Sequence, residues 1–125
     1  MDLIIGGAFQ GKTAYAKEHY GFSDGEIFTC TAEMGADFSR PCVRRLEQYA
    51  LFCLRRGLVP EQEILTRREE WKQAVLICDD ISCGVVPMEA ETRAWREATG
   101  RMLAVLSREA DTVTRLFCGL PQRLK

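Results

Sequence analysis

Residues Gly6 to Thr13, GGAFQGKT, constrain what this chain can fold into more than any other segment. The octapeptide follows the apolar run Leu3-Ile4-Ile5 and precedes a helix-compatible stretch, Ala14 to Tyr20. It fits the phosphate-binding loop pattern of Gly, four residues, Gly-Lys, then Ser or Thr. Each part has a physical task. Gly6 and Gly11 permit backbone angles that a side chain forbids. The segment Gly6, Gly7, Ala8, Phe9, Gln10, Gly11 can therefore turn its amides inward as a nest for phosphate oxygens. A helix starting beside Gly11 adds the positive end of its dipole. Lys12 is placed to reach the outer phosphates, and the Thr13 hydroxyl to ligate magnesium. The competing reading is a Gly-rich turn that caps a helix and leaves Lys12 in water.

The rest of the chain alternates in the way such a start requires. Strands are expected at Asp2–Ile5, about Glu26–Thr31, Ala74–Cys78 and about Thr112–Cys118. Helices are expected over about Lys12–Tyr20, from near Pro41 to Gly57, over Pro60 to about Gln73, and over about Glu89–Glu109. Residues Gly84–Met88 read as a loop. Strands separated by helices imply parallel crossovers. The expectation is one domain over residues 1–125, a three-layer α/β, P-loop NTPase-like fold with a small, mostly parallel sheet of about four strands. Ligands of such sheets bind outside the carboxyl ends of the strands. That singles out Gly6–Thr13, Thr31–Glu33, Asp79–Gly84 and Gly119–Gln122.

A nucleotide held by such a loop needs a carboxylate to organise magnesium. Asp79 and Asp80 stand at the end of the apolar run Ala74–Cys78. Adjacent residues of a strand face opposite sides, so one can serve the metal while the other polarises a hydroxyl or holds a loop. Which does which is open. An acidic pair that merely ends a strand is the alternative. Other candidates are weaker: His19, the single histidine, reads as a surface helix residue, and Arg93, Arg96 and Arg101 do not share one helical stripe.

Composition excludes some partners. A formal net charge of -1 gives no basic field for nucleic acid. No apolar run approaches membrane-spanning length, and the Met-Asp start carries no signal-peptide pattern. The six cysteines form no CxxC pair, which argues against zinc. Cys30, Cys78 and Cys118 fall in strand-like runs and read as buried free thiols of a reducing cytoplasm.

The loop and the stretch after the third strand together resemble the bifunctional adenosylcobinamide kinase/adenosylcobinamide-phosphate guanylyltransferase family of cobalamin synthesis. LIIGGAFQGKT is similar to that family's first strand and loop. VLICDDISCGVVP resembles its strand, acidic turn and G-x-V-P segment, and Pro87, Arg93, Trp95, Arg96, Gly100-Arg101 and Ala110-Asp111 continue at matching spacing. The resemblance covers about residues 1–34 and 74–125. It implies γ-phosphoryl transfer from ATP or GTP, with Mg2+, to the aminopropanol hydroxyl of adenosylcobinamide, with Thr31, Ala32 and Glu33 bordering the nucleotide. It also implies self-association. The chain departs from the family in its centre, where residues 41–73 contain no histidine to take up a guanylyl group. That counts against guanylyl transfer by the family's route. A phosphotransferase or NTPase for another small metabolite, and a nucleotide-binding regulator without transfer chemistry, remain as alternatives.

Overall fold

A computed structural model describes residues 1–81 and 89–125; the expected Gly84–Met88 loop, Cys83 and the G-x-V-P segment lie outside the described residues. The elements in chain order are β1 (Asp2–Gly6), α1 (Lys12–Tyr20), a 3-10 turn (Asp24–Glu26), β2 (Ile27–Thr29), β3 (Cys42–Arg44) and α2 (Leu46–Arg55). They continue with α3 (Pro60–Thr66), α4 (Arg68–Trp71), β4 (Val75–Asp79), α5 (Ala90–Glu109), β5 (Thr112–Phe117) and β6 (Leu120–Arg123).

The sheet has six strands in the order β2-β3-β4-β1-β5-β6, not about four. Every pairing is parallel except the antiparallel β5–β6 hairpin. Two short strands account for the difference. Cys42–Arg44 is extended rather than the start of a helix. Pro41 lies before β3, and its carbonyl accepts from the Val75 amide, so it begins a strand pairing instead of a helical turn. Leu120–Arg123 carries Pro121, which a central strand would reject but an edge strand tolerates. The expected polar helix over Pro60–Gln73 is broken at Arg67 into α3 and α4.

Side chains alternate across β1 and β4, as strand geometry requires. Ile4, Val75 and Ile77 pack with Ala16 of α1 on one face. Leu3, Leu76 and Cys78 pack on the other with Leu46, Ala50, Ile64, Trp71, Met102 and Leu106 from α2 to α5. The result is helix, sheet, helices: three layers with the first helix alone on its side. Parallel pairing brings the ends of β3, β4, β1 and β5 to one rim. Trp71 is buried and donates its Nε1 hydrogen to the Ile64 carbonyl at 2.8 Å. Cys30, Cys42, Cys53 and Cys78 are buried free thiols, but Cys118 is exposed. Its expected burial fails because β5 ends one residue earlier and Cys118 turns into the hairpin with φ 52°.

Candidate functional site

The octapeptide forms a tight loop between β1 and α1. Glycine is required at its first position because a Cβ on Gly6 would sit 2.6 Å from the Leu116 carbonyl oxygen. Gly11, at φ 88° and ψ 20°, adopts the left-handed backbone that caps α1 at its N-terminus. The Gln10 carbonyl accepts from the Gly119 amide at 3.1 Å, and its side-chain oxygen accepts from the Cys118 amide. These contacts tie the loop to the β5–β6 turn.

Lys12 is only 7% exposed although it carries a charge. Its ammonium donates to the Gly7 carbonyl at 2.6 Å and pairs with Asp79 Oδ1 at 2.7 Å. The pair is possible because Gly6 and Asp79 are register partners in adjacent parallel strands. A cavity of about 350 Å³ opens here, lined by Lys12, Thr13, Arg44, Arg45, Ile77 and Asp79 among others. Thr13 and Asp79 present hard oxygen donors of the kind magnesium takes together with phosphate oxygens.

Strand alternation separates the two aspartates. Asp79 follows Ile77 onto the α1 face and meets Lys12. Asp80 donates its backbone N–H to the Gly6 carbonyl at 2.8 Å and lines a second, smaller hollow with Gln10, Arg115 and Phe117. The loop therefore lies between the two acids. Thr31, Ala32 and Glu33 do not line the first cavity. Thr31 Oγ1 accepts from the Met34 amide, and the Ala32 and Glu33 carbonyls accept from the Arg56 guanidinium. Phe9 points fully into solvent at φ 60°. His19 stacks on Tyr15 and meets Tyr20 edge-on, away from the loop.

Sequence reasoning missed three charged residues at this rim. Arg44 ends β3, Arg45 is the N-cap of α2, and both line the cavity. Glu47, in the first turn of α2, is 1% exposed, and among the described residues neither carboxyl oxygen makes a well-formed hydrogen bond. Burial, reinforced by the nearby Asp79 charge and opposed by Arg45 and by the Asp79 and Glu47 backbone amides, pushes its pKa up to about 7. The detectable signal was a glutamate on the apolar stripe of a helix, between Leu46 and Ala50. Trp95 of α5 closes this corner by donating to the Glu47 carbonyl at 2.6 Å.

No helix among the described residues is long and apolar enough to cross a membrane. No individual curated protein matches the chain. The family model described as cobinamide kinase / cobinamide phosphate guanyltransferase matches residues 59–124, from just before α3 through β6. The matched segment is more than half of the chain and includes β4, which ends at Asp79, and Asp80 after it, though not the glycine loop. On that match the chain belongs to the cobinamide kinase / cobinamide phosphate guanyltransferase family of cobalamin biosynthesis.

Proposed function

We propose that the chain is a single P-loop domain that acts as an adenosylcobinamide kinase, transferring the γ-phosphoryl group of ATP or GTP to the aminopropanol hydroxyl. The observation that carries this reading is the Lys12–Asp79 pair, buried between the glycine loop and the end of β4. A lysine and a carboxylate at this spot are the two charges that phosphoryl transfer needs: one for the phosphates, one for magnesium. The amides of Gly7 to Gly11 would cradle the phosphates, Lys12 would neutralise the charge that builds on the transferred group, and Thr13 with Asp79 would hold Mg2+. Magnesium would draw the phosphate oxygens together and withdraw their charge.

A second reading, phosphoryl transfer to a smaller acceptor, is favoured by the size of the cavity. About 350 Å³ suits the phosphate end of a nucleotide, and a corrinoid would have to dock on the open rim.

Single-turnover transfer from γ-labelled ATP and GTP, with magnesium and adenosylcobinamide, tests both. Label on the corrinoid supports the kinase. Nucleotide binding that requires Lys12 but leaves the corrinoid unlabelled moves the reading to another acceptor. Unchanged nucleotide affinity in Lys12→Ala removes the shared premise.

A further inference from the structure

We infer that Arg44 and Arg45 grip the terminal phosphoryl group of the bound nucleoside triphosphate from the β3 side. The inference rests on the nucleotide reading of the loop and adds residues outside both the loop and the family-matched segment, which begins at residue 59.

Three observations carry it. The first is placement. Cys42 packs on the α1 face with Val75 and Ile77, so Arg44, two residues on, falls on the same face. It lines the same cavity as Lys12, Thr13, Ile77 and Asp79. The second is charge balance. Lys12 is matched by Asp79 at 2.7 Å, whereas among the described residues Arg45 pairs with Glu47 Oε1 alone, at 3.9 Å. Two arginines therefore add positive charge to a cavity whose lysine and aspartate already cancel. The third is an orphaned donor. Arg44 Nε is buried, with no hydrogen-bond partner among the described residues. A desolvated N–H with no acceptor is unfavourable, and an anion in the cavity supplies the acceptor.

Arg45 also holds a left-handed backbone, φ 60° and ψ 49°, which a non-glycine residue adopts at a cost. That turn ends β3 and leaves the Arg45 side chain at the cavity wall. Arginine suits the task because its planar fork meets two phosphate oxygens at once. In a loose phosphoryl-transfer transition state, charge spreads over the equatorial oxygens of the moving group, where a facing guanidinium is most useful. A diphosphate, ending one phosphate earlier, would leave these arginines without their ligand.

The test is calorimetric titration of ATP, ADP, GTP and GDP, each with magnesium, into the wild-type chain and into Arg44→Ala, Arg44→Lys, Arg45→Ala and Lys12→Ala. Arg44→Ala and Arg45→Ala should each weaken triphosphate binding about tenfold and diphosphate binding less than about twofold. Arg44→Lys should fall between, keeping the charge and losing the fork. Lys12→Ala should weaken both classes. Equal losses for tri- and diphosphate, or none, overturn the inference while leaving the loop reading intact if Lys12→Ala still weakens both classes. No nucleotide binding by the wild type overturns both. Arg45 is half exposed, so Arg45→Ala carries the test even if Arg44→Ala fails to fold.

Discussion

Replacing Glu47 with glutamine should stabilise the protein at alkaline pH and do little at acid pH. Glu47 sits buried behind the Asp79 rim, and the loss of water around its carboxyl outweighs the nearby backbone amides and Arg45, so the charged form is disfavoured. Its pKa of about 7 compares with 4.5 for an exposed glutamate. The sign follows from proton counting. Between those two values the folded state holds a proton that the unfolded state has released, so folding stability falls as pH rises through the window. Below it both states are protonated and the penalty vanishes. Between about pH 5 and pH 8 the wild type should lose about 2.5 kcal/mol through this group alone. Glutamine mimics the neutral acid in size and charge. The stability gap between Glu47→Gln and wild type should therefore widen by about that amount over the same interval. Urea unfolding followed by fluorescence of Trp71 and Trp95, at both pH values, measures it. A gap that stays constant with pH would show that Glu47 is ionised in the folded state, and the argument from burial would be wrong.

Other substitutions probe the rim directly. Gly6→Ala drives a Cβ to 2.6 Å from the Leu116 carbonyl, and should cost about 1–3 kcal/mol in urea unfolding, with β1 and β5 forced apart. Trp95→Phe removes the hydrogen bond to the Glu47 carbonyl and should cost about 1 kcal/mol by the same assay. Asp79→Asn should lower single-turnover phosphoryl transfer at least about a hundredfold and abolish the magnesium dependence of nucleotide binding. Asp80→Asn should keep that magnesium dependence, because its carboxylate lies on the other side of the loop.

The loop, the first helix and the end of β4 were legible because each is fixed locally. Glycine at positions 6 and 11 answers a steric demand, and the boundaries of α1, Lys12–Tyr20, follow from Gly11 at one end and Gly21 at the other. The apolar runs of β1 and β4 are mostly buried strands that need no partner to be recognised. Cys42–Arg44 was illegible for the opposite reason. Three residues carry too little period to distinguish a strand from a helical start, and Val43 happens to stand at helical spacing from Leu46 and Ala50. Its pairing with β2 and β4 is a tertiary fact. Losing β3 hid Arg44 and Arg45, since residues taken as the first turn of a helix have no reason to meet the glycine loop. The opposed facing of Asp79 and Asp80, by contrast, needed only the parity of a strand. Their assignment needed the position of Lys12.

On the proposed reading, nucleotide binding would exchange the partners of Lys12. The Gly7 carbonyl and Asp79 hold its ammonium at the wall of the cavity. An incoming polyphosphate must draw Lys12 away from an aspartate, which leaves that carboxylate facing anionic oxygens unless a cation arrives with the nucleotide. Asp79 would then be free to serve a magnesium ion arriving with the nucleotide, and one ion pair would give way to two. The same electrostatics explains why a buried glutamate can stand so close. Holding its proton to near neutrality, Glu47 adds little negative charge behind Asp79. Arg45, freed of a full counter-charge, can then turn to the cavity. The strand and helix that meet at Arg45 thus contribute to the site through the balance of charge at the rim, in addition to the loop that identifies it.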